Sequence, residues 1–184
     1  MISPQEFLNK WNSDTYGLVN YDESNINSFS LTNETKNFLI KAGLPESAPP
    51  FLTFESSTNG GGIRLTEKNN SLGKMYDRFI YLGYTGSGYP VCINESNSEV
   101  VYIDYDNENN SVLINSTIAK FAESLLFYVE FIKKVKAVNG RRAYLEKNAT
   151  KELLDWISKS LHQIDAVSLT QGGFWEEELV SFSE

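Results

Sequence analysis

The chain is poor in the side chains that do chemistry. Among 184 residues there is one cysteine, Cys92, and one histidine, His162. A single cysteine excludes an intramolecular disulfide and any zinc site built from several cysteines. A single histidine excludes a His-rich metal site and leaves little for a His-based catalytic centre. Basic residues are also scarce: 16 Lys+Arg stand against 24 Asp+Glu, a net charge of −8. Nucleic-acid binders and binders of anionic membranes need basic surface, so this balance argues against both. No run approaches the roughly 18 apolar residues of a membrane span. The first residues hold no basic stretch followed by an apolar run, so no secretory signal is expected and the expected compartment is the cytoplasm. The Asn-x-Ser/Thr triplets at Asn33, Asn94, Asn115 and Asn148 read as chance matches in an Asn-rich chain.

What is there is the material of a folded core. Hydrophobic residues make up 41% and aromatics 13%. A chain this long buries roughly 70% of its unfolded surface without staples, and the length prior of about 150 residues per domain favours one domain.

The hydrophobic period changes twice along the chain. Ser3-Pro4-Gln5-Glu6 is a helix start: Ser3 can cap, Pro4 suits the first helical position and Glu6 can complete a capping box. A second helix is expected from about Thr32 to Ala42, stopped by Gly43-Leu44-Pro45. From Pro50 the runs are short, β-branched and aromatic: 51–56, 63–66, 79–84, 89–94, 100–105 and 112–114. Gly and Asn clusters separate them, which predicts an antiparallel meander, because such short connections cannot hold crossover helices. From Ser116 the period is helical again. Ile118, Phe121, Ala122, Leu125, Tyr128, Val129, Ile132 and Val135 recur at three- and four-residue spacing, and Asn139-Gly140 ends the pattern. A further helix is expected from about Thr150 to Gln163, and the tail from Phe174 to Phe182 is apolar enough to dock. Helices, then strands, then helices read as one α+β domain, 1–184, with about six short strands between N-terminal and C-terminal helices.

Charge is segregated. Residues 79–119 hold Glu95, Glu99, Asp104, Asp106 and Glu108 and no Lys or Arg. Residues 120–151 hold eight basic residues against three acids, and 160–184 are acidic again. Solvated faces explain this pattern, and so does an acidic meander that meets a basic partner.

Five features are candidates for chemistry. Asp104-Tyr-Asp106-Asn-Glu108 begins like a calcium loop, but Asn109 stands at the glycine position and Asn115 at the bidentate glutamate position, so a polar turn is expected. Gly83-Tyr-Thr-Gly86-Ser-Gly88 follows a strand but precedes no helix, so it offers no phosphate cradle. Tyr84 and Tyr89 flank it, and with Ser87 they could meet a partner, since tyrosines give large contact area at low entropy cost. Cys92 reads as a buried apolar residue, and His162 as a helix-surface residue. Glu176-Glu177-Glu178 reads as a solvated charge run. No catalytic residue, metal site or cofactor is expected. The candidate partner-binding residues are Tyr84, Ser87, Tyr89, Glu99, Asp104 and Asp106.

One stretch carries a family likeness. Ile80-Tyr-Leu-Gly83-Tyr-Thr-Gly86-Ser-Gly88-Tyr-Pro-Val-Cys-Ile93, then Val100-Val-Tyr-Ile-Asp104-Tyr-Asp106, then Ile114-Asn-Ser-Thr-Ile-Ala-Lys-Phe121-Ala-Glu-Ser-Leu125 resembles the SUKH superfamily, most of all its fourth subfamily. Phe38-Leu39, Gly43-Leu44-Pro45 and Gly173-Phe174-Trp175 agree with it. The resemblance spans roughly residues 35 to 180, nearly the whole chain. It implies an α+β fold with a curved, mainly antiparallel sheet flanked by helices. It also implies a bacterial immunity protein that neutralises a cognate polymorphic toxin by binding it; such toxins are often nucleases or nucleic-acid deaminases. No catalytic residue carries over. The competing readings are a non-catalytic regulatory or scaffolding module and, further off, a carboxylate-based enzyme.

Overall fold

Short polar side chains set where the helices begin. The computed structural model of the chain describes residues 1–13 and 16–182. At the start of α1 (Pro4–Lys10), the Ser3 hydroxyl accepts from the Glu6 amide at 3.2 Å and the Glu6 carboxylate accepts from the Ser3 amide at 2.9 Å. That reciprocal capping box satisfies two otherwise orphaned donors. Strand β1 (Leu18–Val19) follows. Asp22 caps α2 (Glu23–Ser28) by accepting from the Asn25 amide at 3.0 Å, and Thr32 caps α3 (Asn33–Lys41) by accepting from the Thr35 amide at 3.2 Å. Strand β1 pairs antiparallel with β2 (Leu44–Pro45). Gly43 turns the chain between α3 and β2 at φ +67°, and a Cβ there would lie 2.0 Å from the Val19 carbonyl oxygen, so only glycine fits.

The main sheet has seven strands. β3 (Ser47–Ala48), β4 (Leu52–Phe54), β6 (Phe79–Tyr84), β7 (Pro90–Asn94), β8 (Val100–Asp104) and β9 (Asn110–Asn115) form its path, and β5 (Ile63–Arg64) also pairs with β6. Every pairing is antiparallel, as the short connections require. The helical turn α4 (Leu65–Lys68) follows β5. Then come α5 (Ile118–Asn139), α6 (Lys151–Ile164) and α7 (Phe174–Val180). The described residues thus hold seven helices and nine strands in a mixed α+β domain whose sheet is open.

Both faces of the sheet are covered, and the alternation along the strands shows how. Ile80, Leu82, Val91, Ile93, Val100 and Tyr102 point to the helical side, into a core with Phe121, Leu125, Tyr128 and Phe131 of α5. Phe79, Tyr81, Cys92, Val101 and Ile103 point the other way and pack with Leu65, Leu72 and Tyr76. Strands buried on two sides lose the apolar–polar alternation, which is why 79–82 and 100–103 are unbroken apolar runs. Between Tyr81 and Gly83 the β6–β7 register slips. Gly83 sits so close to β4 that a Cβ would lie 2.0 Å from the Thr53 carbonyl oxygen.

Three expected strands shift by more than one residue, one of them 112–114, which lengthens to β9. The expected strand 51–56 shrinks to β4, and the expected strand 63–66 becomes two strand residues followed by α4, whose turn carries Leu65 into the outer core. Helix α2 gave no periodic signal, because Ile26 is its one buried residue.

Candidate functional site

The β3–β4, β6–β7 and β8–β9 turns lie at the same end of the sheet. Tyr84 closes β6, opposite Thr53 and Pro90. The loop after it is tied by the Thr85 amide, which donates to the Tyr89 carbonyl at 2.9 Å, and by the Gly88 amide, which donates to the Thr85 carbonyl at 2.8 Å. Ser87 is exposed at the tip. The Tyr89 ring stacks on Tyr102 at 5.8 Å with planes 9° apart and meets the edge of Tyr105 at 6.4 Å. Its hydroxyl donates to the Asp106 carboxylate, and that bond holds the Tyr89 pKa up at about 12. Asp104 accepts from the Asp106 amide at 3.0 Å, which forms the polar turn expected at 104–108. Tyr84, Ser87, Tyr89, Asp104 and Asp106 are therefore brought to one end. Glu99 is not. It precedes β8 at the opposite end, five residues or about 16 Å of extended chain from Asp104.

Two further residues belong to this end, and sequence reasoning missed both. A cleft of about 420 Å³ opens between the Pro50–Phe51 corner, the Thr85–Ser87 loop and the Phe174–Glu178 stretch of α7. Phe51 is 61% exposed and holds φ +53°. A bulky residue in the left-handed region is strained by roughly 1–2 kcal/mol, and a mostly exposed aromatic ring gains little burial to offset it. The ring packs over Gly86, where a Cβ would come within 2.9 Å of the Phe51 Cβ. No sequence signal marks a left-handed phenylalanine.

The second missed residue is Glu177. In the run 176–178 each carboxylate has a different fate. Glu176 accepts from the Gly172 amide at 3.2 Å. Glu178 accepts from the Tyr128 hydroxyl and from Lys147 Nζ at 2.9 Å. Glu177 is exposed and has no cation among the described residues. Burial pushes the Tyr102 hydroxyl up to about 12, with the Glu177 and Asp104 charges adding to it, so both carboxylates act on the same ring. Two more exposed aromatics, Tyr84 at 37% and Tyr105 at 38%, complete the surface.

The opposite end of β8–β9 is closed by a buried polar knot. The Asp165 side chain is 1% exposed. Its Oδ2 accepts from the Ser116 amide at 2.7 Å and from Asn115 Nδ2 at 3.2 Å, and its Oδ1 accepts from the Ser116 hydroxyl and Lys120 Nζ, both at 3.0 Å. Asn115 in turn accepts from the Trp175 indole at 2.9 Å. Burial pushes the Asp165 carboxyl up, but these donors hold it below the ordinary value of 3.8. The knot joins the end of β9, the start of α5, the end of α6 and α7. It buries Asn115 completely, which removes that triplet as a modification site.

Cys92 is buried in the outer core, and burial pushes its thiol far up. His162 is exposed on α6. Among the described residues no three His, Cys, Asp or Glu side chains come together as a metal site, and no helix is long and apolar enough to cross a membrane. What the Asp104 end offers is contact area, aromatic edges and carboxylates without a cation. Those are the means of recognition.

No curated protein and no solved structure matches the chain. A family model does: that of the SUKH-4 immunity protein, over residues 4–181. The match takes in α1 through α7 and both ends of the sheet, so the chain belongs to the SUKH-4 immunity protein family.

Proposed function

We propose that the protein acts in the bacterial cytoplasm by binding and neutralising a cognate polymorphic toxin, and that the Asp104 end of the sheet is the surface that meets it. Family membership supports immunity, and one observation favours this surface. Phe51 is strained and exposed beside the cleft that Glu177 borders, and strain kept at an exposed position points to function. Around it, Tyr84, Ser87, Tyr89, Asp104 and Asp106 supply aromatic anchors and negative charge. The matching partner carries a basic surface, as a toxin of the nuclease type must to grip nucleic acid. Occlusion of that surface needs fit and charge, not a catalytic centre.

Co-expression with the toxin encoded by the adjacent gene tests the reading. Rescue of growth, together with a direct complex weakened by salt, is the expected result. Rescue that survives replacement of Phe51, Asp104 and Asp106 together would place the interface elsewhere.

A further inference from the structure

The basic stretch 120–151 resolves residue by residue. Lys120 pairs with Asp165 at 3.0 Å, Lys134 with Glu130 at 3.1 Å, Arg142 with Glu146 at 3.1 Å and Lys147 with Glu178 at 2.9 Å. Lys133, Lys136, Arg141 and Lys151 have no carboxylate partner among the described residues. Lys133 and Lys136 stand three residues apart on one face of α5. Lys10, at the end of α1, makes no close ion pair, although its charge helps to lower the pKa of Glu6 one turn back.

These three lysines, from two separate elements, meet at one groove. Trp11 and Tyr16 form one wall, and Leu126, Val129 and Ile132 of α5 form the other, around a volume of about 170 Å³. The first wall is preformed: the Trp11 indole donates to the Tyr16 carbonyl at 3.0 Å, and the two rings lie 6.0 Å apart. No acidic side chain lines the groove among the described residues. Lys133 and Lys136, without a carboxylate partner among the described residues, and Lys10 beside them set positive charge around an apolar slot, which fits an occupant that is apolar in the middle and anionic at its edges.

We propose that this groove docks an acidic segment of a protein partner, with one apolar side chain entering between Trp11 and α5 and flanking carboxylates meeting Lys10, Lys133 and Lys136. The volume suits a single aromatic side chain, since a cavity of about 150 Å³ takes a benzene ring. It does not suit an acyl chain. A long polyanion or an anionic bilayer would also feel the remainder of a chain whose net charge is −8. A short acidic segment feels only the lysines within the Debye length of about 10 Å. The site calls for an occupant opposite in charge to the one that fits the Asp104 end, so it stands independently of that surface.

The probe is a capped peptide with one tryptophan between pairs of glutamates, and the control carries lysines in place of the glutamates. Each is titrated into the isotope-labelled full chain and followed by backbone amide shifts. Saturable shifts at Lys10, Trp11, Val129, Lys133 and Lys136 are expected with the acidic peptide and not with the control. Binding should weaken by about tenfold or more in a K133E/K136E variant and in about 0.5 M salt. Both lysines are exposed, so the variant should keep the wild-type spectrum elsewhere. Absence of shifts at the groove, equal binding of the lysine control, or unchanged affinity of the double variant overturns the proposal. Shifts at these residues with anionic phospholipid vesicles but not with the peptide overturn it in favour of a membrane.

Discussion

At the Asn115 end of β9, both oxygens of Asp165 are engaged by four donors. At the Asp104 end of β8, Asp104 is half-buried and Asp106 and Glu177 are exposed, and none of the three meets a cation among the described residues. The two ends belong to one strand pair and differ in what encloses them. Three helical segments converge on the first, and a buried carboxylate there must be fully bonded or it destabilises the fold. Turns and one stretch of α7 border the second, and its unpaired surface carboxylates cost little and contribute little to stability. One end fixes the fold and the other is free to be selected for a partner. Substitutions should therefore separate the two cleanly.

The largest effect is expected at the knot. Asp165→Ala removes the acceptor of the Ser116 amide and one of two acceptors of Asn115 Nδ2 and of Lys120 Nζ, and should cost about 3 kcal/mol or more in a urea melt. The same carboxylate makes stability depend on pH. Its folded pKa lies below the ordinary value of 3.8, so its contribution is complete above that range and is lost as pH falls through the folded value. Asp165→Asn should flatten the acid limb of the stability curve. An unchanged limb would show that the carboxylate is not what the knot depends on.

Next comes Phe51→Gly. Glycine adopts φ +53° freely, so stability should hold or rise by up to about 1 kcal/mol. Affinity for the toxin should fall by about 1–2 kcal/mol, the usual cost of losing an aromatic anchor. Calorimetric melting and binding titrations on the same protein read both. Parallel losses in the two would mean that the ring is structural after all.

A smaller and mainly kinetic effect is expected for D104K/D106K. Association with a basic toxin should slow by about tenfold at low salt, with dissociation less affected, and the gap should close as salt rises. Stopped-flow mixing at several ionic strengths measures it. The smallest effect is expected at the far end. Glu99→Lys should change affinity by less than about 0.5 kcal/mol, the scale of a surface charge remote from the interface. A large loss there would erase the contrast between the two ends.

The sequence carried four of the seven helices, α1, α3, α5 and α6. Ser3, Thr32, Thr117 and Thr150 cap four of the helices, and a cap followed by a periodic apolar stripe is a local signal. The strands β6 to β9 were legible for the same reason, as short apolar runs between Gly and Asn turns. Strands β1, β2 and β3 were not, because two residues each leave no period to read. The site was half legible. Tyr84, Tyr89, Asp104 and Asp106 lie in turns or at the strand ends beside them, where neighbours in sequence are neighbours in space. Phe51 and Glu177 reach the same cleft from residues more than a hundred apart, and nothing local to either foretells the other. Asp165 was invisible for a similar reason: its bonds to Asn115 and Ser116 span 50 and 49 residues.

Cys92 gives the molecule a gauge of its own motion. It is the chain's one thiol, and it lies fully covered in the smaller core beneath Leu65, Leu72 and Tyr76. A thiol reagent can reach it only when that thin cover lifts, so the rate of modification in the native state reports how often one side of the sheet breathes while the helical side stays shut. A toxin clasped against the turns would register there as a slower rate only if its grip reached through the sheet to that cover.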